Sequence, residues 1–282
     1  QGPDPYSCCA AFVDVDDDGF RDLYIVNDFG MHVQANQVFM NTESDGFLPR
    51  EELGLGLGIY GMGLAVGDFN ADFIPDFVIS DWGRNWLLVS DESGWYDNSL
   101  NSNFIATHSD QHIGWGVETH DVDNDGDLDI WVGYGQLEIL PEQQPDFDQL
   151  GLFNPAMQPD ALFIQEQGAF EDVAPEWGLD RSTISRGGIW ADLNSDGFLD
   201  FVSPAVNGPA VAYLANCDDS HWSRIRLHQP TSMNTQAVGA RVRLTTGELT
   251  QTRWLLAGTS LSSSGPIEAH FGLGEQGMIE HL

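Results

Sequence analysis

The nonamer Asp121-Val122-Asp123-Asn124-Asp125-Gly126-Asp127-Leu128-Asp129 decides how the chain is read. Three more segments fall into register with it: DVDDDGFRD at Asp14–Asp22, DFNADFIPD at Asp68–Asp76 and DLNSDGFLD at Asp192–Asp200. Their starts are 54, 53 and 71 residues apart. Recurrence at such a period marks an array of units that bury their apolar faces by stacking on one another. Each copy follows an apolar run with small residues, at Ala10–Val13, Gly63–Gly67, Gly114–Val117 and Gly187–Ala191. Each precedes a second apolar run, at Leu23–Val26, Phe77–Ile79, Ile130–Val132 and Phe201–Val202. A third run follows at Gln37–Met40, Trp86–Val89, Ala161–Ile164 and Ala210–Leu214. A Gly-aromatic piece closes three of the units, at Gly46-Phe47, Gly94-Trp95 and Gly168-Ala169-Phe170.

The runs are short, rich in Val, Ile, Phe and Trp, and bounded by Gly, Asn and Asp. No window keeps a 3.6-residue period, so the chemistry is that of strands. A unit of about 50 residues with four short strands predicts one blade of a β-propeller, and an all-β fold class. The longest spacing holds an insertion, Gln136 to about Pro159, rich in Pro, Gln and Asp; it reads as a long loop and as the best loop for a partner contact.

Every nonamer keeps an oxygen side chain at positions 1, 3, 5 and 9. These are Asp14, Asp16, Asp18 and Asp22; Asp68, Asn70, Asp72 and Asp76; Asp121, Asp123, Asp125 and Asp129; and Asp192, Asn194, Asp196 and Asp200. Carboxylates packed this tightly repel unless a cation lies among them, and Ca²⁺, with flexible oxygen coordination, suits them better than Mg²⁺. Gly19, Gly126 and Gly197 at position 6 allow a turn at positive φ. Position 7 would offer a backbone carbonyl, from Phe20, Asp127 and Phe198. An EF-hand is excluded: it closes with Glu at position 12, where this chain has Ile25, Ile79, Val132 and Ser203. Three Ca²⁺ sites are expected, with a fourth, weaker one at 68–76, where Phe73 replaces the turn Gly and Pro75 follows.

The net charge is −34, from 44 acidic and 10 basic residues, and every basic residue is Arg. That balance argues against nucleic acid and anionic membrane surfaces as partners. A hydrophobic content of 41% allows a core, and no apolar run reaches membrane-spanning length. Residues 216–282 hold six acids and five Arg, so nearly all the excess lies in 1–215. Two domains are expected, 1–215 and 216–282. Arg224 with Arg226, and Arg241 with Arg243, alternate as on one sheet face, and that face is expected to dock on the acidic part of the chain. Cys8, Cys9 and Cys217 form no metal motif. A bridge from Cys217 to Cys8 or Cys9 and unpaired thiols are both open. The chain lacks a starting Met and ends in a strand-like Met278–Leu282, and is expected to be processed or truncated.

With its flanks, the repeat resembles the FG-GAP/VCBS family, whose element is shared by integrin α propellers. The pieces Tyr24-Ile25-Val26-Asn27-Asp28-Phe29-Gly30, Gly61-Met62-Gly63-Leu64-Ala65 and Ser185-Arg186-Gly187-Gly188 are similar to the cartilage acidic protein branch. Residues His221–Leu227, Ala237–Leu244, Gln251–Arg253 and His270–Gly274 resemble the ASPIC/UnbV domain that follows the propeller in that branch. The resemblance implies a calcium-bound propeller with four-stranded blades and a small all-β C-terminal domain. Such propellers often have seven blades, so four units imply an incomplete ring or a piece of a longer one. The branch's closing tryptophan- and proline-rich segment is missing, in keeping with truncation.

The leading expectation for function is a calcium-binding interaction or adhesion module without catalysis, secreted, surface-exposed or periplasmic, with a protein or glycan partner or a place in a larger assembly. No nucleophile–base motif supports an enzyme; His108, His112 and His120 read as packing or capping residues, and an accessory biosynthetic role is the weakest alternative. A carbohydrate-binding propeller is the other alternative. Trp86, Trp131 and Trp190 lie in strand runs and read as core, while Trp82 and Trp95, beside turns, are the candidates for sugar stacking.

Overall fold

Each apolar run becomes a strand, and each nonamer becomes the loop joining the first two strands of a sheet. The computed structural model describes residues 4–105, 112–137, 156–206, 208–216, 219–258 and 260–282. Blade one is the antiparallel meander β1 (Tyr6–Val13), β2 (Asp22–Asp28), β3 (Gln37–Asn41) and β4 (Phe47–Arg50). Blade two repeats it with β5 (Leu64–Gly67), β6 (Asp76–Ile79), β7 (Trp86–Asp91) and β8 (Gly94–Asp97). Blade three opens with β9 (Gly114–His120) and β10 (Asp129–Tyr134). The two-residue β11 (Gln158–Pro159) comes next, and β12 (Ala161–Glu166) and β13 (Ala169–Asp172) complete the sheet. A helical turn, Ala174–Trp177, leads to β14 (Ser182–Thr183), which pairs with β11. Blade four has three strands, β15 (Ile189–Ala191), β16 (Asp200–Ser203) and β17 (Val211–Tyr213). Most of the expected long loop, 138–155, lies outside the described residues, as does Cys217. Cys8 and Cys9 are free thiols, and burial raises the Cys9 pKa to about 11.

Period-two alternation stacks the sheets, because successive side chains of a strand leave it on opposite faces. On β6, Phe77 and Ile79 pack toward blade one with Val13, Tyr24 and Val38, while Val78 packs toward blade three with Val117 and Ile130. On β10, Ile130 and Val132 face blade two, and Trp131 faces blade four, 5.0 Å from the Phe201 ring. The first strands of successive blades lie side by side, as an inner ring of propeller strands requires. Glycine is needed where they approach: a Cβ on Gly116 would stand 2.7 Å from Gly187 Cα. The fold is thus all-β and propeller-like. No helix among the described residues is long and apolar enough to cross a membrane.

The C-terminal segment forms two antiparallel pairs. β18 (His221–Ile225) joins β21 (Ala269–Gly274), and β19 (Arg241–Thr246) joins β20 (Leu249–Trp254). Val242, Leu244, Leu255, Ala269, Phe271 and Leu273 give it a core of its own. Met278–Leu282 is no full strand; His281 alone makes a bridge, to Thr245.

Candidate metal centre

The four nonamers adopt one geometry. The position-1 carboxylate accepts the position-6 N–H: Gly19 to Asp14 at 3.0 Å, Phe73 to Asp68 at 3.2 Å, Gly126 to Asp121 at 3.1 Å and Gly197 to Asp192 at 3.2 Å. The position-5 carboxylate accepts the position-7 N–H, from Phe20, Ile74, Asp127 and Phe198, at 2.8–3.0 Å. Position 6 has positive φ in all four loops, even where it is Phe73. Position 4 does too, at Asp17, Ala71, Asn124 and Ser195, and nothing in the sequence pattern marks it.

The position-9 aspartates have a second task beyond the expected ligand role. Asp22, Asp76, Asp129 and Asp200 are buried, and each takes the position-2 N–H on one oxygen, from Val15, Phe69, Val122 and Leu193. The other oxygen accepts an N–H from the third strand, at Asn41, Ser90 and Gln165, or from Ala215, two residues beyond it. One side chain therefore ties the loop to the sheet and satisfies two backbone donors.

Loops one and three gather their acids as a cation site would. Ligand atoms of Asp14, Asp16 and Asp18, and those of Asp121, Asp123 and Asp129, lie within 4.8 Å of one another. Asp121 Oδ1 is buried without a hydrogen-bond partner, which is costly unless a cation completes it. Burial, with Asp125 and Asp123 nearby, raises the Asp121 carboxyl to about 7 against the pull of Arg253. Burial and Asp125 raise Asp123 to about 6, and burial with the charges of Asp123 and Asp121 holds Asp129 well above its usual range. Asp16 is raised by burial and by Asp18. Such shifts arise where negative charge is crowded away from water. Asp125 of loop three and Asp22 of loop one fall outside these two groups.

Loops two and four satisfy most of their acids differently, though Asp68 Oδ1 in loop two is, like Asp121 Oδ1, buried without a partner. Asn70 Nδ2 donates to Asp72 Oδ2 at 3.0 Å, and Ser90 Oγ donates to Asp72 and Asp76. Asn194 Nδ2 donates to Asp196 Oδ2 at 2.7 Å, and Arg224 Nη1 lies 2.9 Å from Asp192 Oδ2. With Asn at position 3, an amide hydrogen stands where the other loops present a second carboxylate.

The C-terminal unit sits on all four loops, as the alternating Arg pairs suggested. Arg241 Nη2 pairs with Asp17 Oδ1 at 2.6 Å, and the Arg243 guanidinium lies 4.6 Å above the Phe73 ring, which gives that turn residue a use. Gly272 N–H donates to Asp121 Oδ2 at 2.8 Å, and buried Arg253 approaches the same oxygen at 3.8 Å. His270 Nε2 meets Gly197 O at 3.0 Å, and burial holds its pKa near 4. Arg226 turns to Glu268 instead, within its own unit. Which Arg meets which Asp depends on this docking, so the sequence alone could not pair them.

At the opposite end of the blades lies an aromatic chain. Tyr6 starts β1, Phe29 follows β2, Tyr60 precedes β5 and Trp82 follows β6, with ring centroids 5.5, 5.5 and 5.8 Å apart in that order. Tyr6, Phe29 and Trp82 are exposed, Trp82 by 57%. Trp95 differs from expectation: its Nε1 donates to Pro75 O at 2.8 Å and its ring packs near Phe77, so it is a packing residue. Trp131 and Trp190 are buried in the core as expected. His120 pairs with Glu118 at 3.4 Å and His112 packs on Tyr134, while His108 lies outside the described residues.

Residues 14–79 match the family model of the FG-GAP-like repeat, and residues 230–282 match that of ASPIC and UnbV. The first match spans loops one and two; the second takes in β19, β20 and β21. No curated protein matches the chain. The chain thus holds an FG-GAP-like repeat over 14–79 and an ASPIC/UnbV domain over 230–282.

Proposed function

We propose that this protein is a calcium-binding interaction module of the extracellular or periplasmic type, acting by binding rather than catalysis. The observation that carries the reading is loop three, where Asp121, Asp123 and Asp129 converge and Asp121 Oδ1 is buried without a partner. A hard divalent cation answers that arrangement, and oxygen ligands at flexible angles favour Ca²⁺. Loop one, with Asp14, Asp16 and Asp18 together, is the second strong site. Loops two and four are weaker, since Asn70 and Asn194 spend an amide on the neighbouring carboxylate. Bound calcium would supply charge neutralisation and fix the loop; Asp14, Asp16, Asp18, Asp121, Asp123 and Asp129 would hold it.

Differential scanning calorimetry with and without chelator checks this. Calcium at 100 times its dissociation constant should add roughly 2.7 kcal/mol per site and raise the melting temperature. An unchanged melting curve, with no metal retained on purification, overturns the reading.

The aromatic chain favours a carbohydrate as partner, as a second reading. Tyr6, Phe29 and Trp82 are exposed on the end that the C-terminal unit leaves uncovered, and exposed rings stack on sugar faces. Glycan-array binding should survive chelation and vanish in Trp82→Ala. If Trp82→Ala binds unchanged, a protein partner at another surface is the better account.

A further inference from the structure

Asp121 is 1% exposed, and its two oxygens face different parts of the molecule. Oδ2 accepts Gly126 N–H from its own loop and Gly272 N–H from β21. Oδ1 has no protein partner. The same loop grips β21 again through the Asn124 carbonyl, which accepts Gly274 N–H at 2.8 Å. The fit leaves no slack: a Cβ on Gly272 would overlap Asn124 Cα and the Asp121 carboxylate.

We propose that calcium binding in loop three and docking of the C-terminal unit are linked through Asp121, one oxygen serving the ion and the other β21. The proposal rests on the reading that loop three takes calcium. Fixing Oδ1 on an ion fixes the carboxylate plane, and so holds Oδ2 on the Gly272 N–H. An ordered loop also holds the Asn124 carbonyl against Gly274. Conversely, β21 donates from outside the ligand set and orients a ligand before the ion arrives, as outer-shell donors do in metal sites. Arg253 opposes the ion by its charge. It is surrounded by Asp68, Asp121, Asp127 and Asp129, however, so its charge is already compensated. The linkage is therefore positive: each event strengthens the other.

Amide hydrogen exchange on the full chain, beside calcium titration calorimetry, tests the linkage. Calcium should slow exchange at Gly272 and Gly274 by about tenfold relative to Leu244, which lies within the C-terminal unit's own hairpin. Asp123→Asn, altering a side chain that hydrogen-bonds within its own loop, should abolish that slowing. Because linkage is reciprocal, Gly272→Ala should weaken calcium binding at loop three by the same factor. If Gly272→Ala unfolds the C-terminal unit, the wild-type and Asp123→Asn exchange data still decide. Calcium bound with exchange at Gly272 and Gly274 unchanged overturns the linkage alone. No calcium bound at all overturns the site reading with it, and the calorimetry separates the two outcomes.

Discussion

At the residue scale, the nonamer aspartates carry two jobs, which Asp22 and Asp16 separate by substitution. Asp22 is buried and accepts the Val15 and Asn41 N–H groups. Asp22→Ala would leave a buried donor at Val15 and a part-buried one at Asn41 unpaired, so it should cost about 2–4 kcal/mol in urea unfolding, with chelator present throughout. Asp16→Asn keeps shape and touches neither donor. It should leave stability in chelator nearly unchanged while removing one equivalent of bound calcium. Equal losses from both variants in chelator would contradict the division. The recurrent oxygen side chains at positions 1, 3, 5 and 9 were legible, because period and spacing mark them. The architectural task of position 9 was not, because its partners on the third strand lie 14–36 residues away. The left-handed residue at position 4 was also hidden, since Asp, Ala, Asn and Ser carry no common chemical mark there.

At the scale of elements, strand order followed directly from the repeat. The apolar runs after the nonamers became β2, β6, β10 and β16, and the third runs became β3, β7, β12 and β17. Blade four alone lacks a fourth strand among the described residues, matching the absence of a Gly-aromatic piece after Leu214. The docking of β18 was legible only as a charge pattern. Arg224 covers Asp192, whose side chain is wholly buried, and Arg224→Met would strand that charge. Breaking one side of such a pair costs about 3–5 kcal/mol. The loss should appear as an earlier urea midpoint, and Asp192→Asn in the same chain should recover part of it. A midpoint unmoved by Arg224→Met would mean the pair adds nothing to docking.

At the scale of the whole molecule, the charge of −34 becomes a statement about pH. Burial raises the Asp121 carboxyl to about 7 and Asp123 to about 6, against a usual value near 4. The folded chain therefore holds protons that the unfolded chain has released between pH 4 and 7. Stability from these groups is greatest below pH 4 and is lost as pH rises through 6 and 7. In chelator, the melting temperature should fall between pH 5 and 8. Saturating calcium should flatten or reverse that fall, because protons and calcium compete for the same oxygens. A chelated protein that melts higher at pH 8 than at pH 5 would contradict the assignment.

The buried frame of Asp22, Asp76, Asp129 and Asp200 has a further consequence. It holds each loop's shape through backbone donors, even where one of its members, Asp129, also faces a proposed ion site. A blade can therefore lose its ligand set by mutation and still fold, which makes the ion sites individually dispensable to the architecture. Loop two carries Asn70, Phe73 and Pro75 in its nonamer, yet Phe73 N–H still reaches Asp68. On the proposed reading, ion-holding and ion-free copies can share one frame, each blade open to a separate calcium threshold.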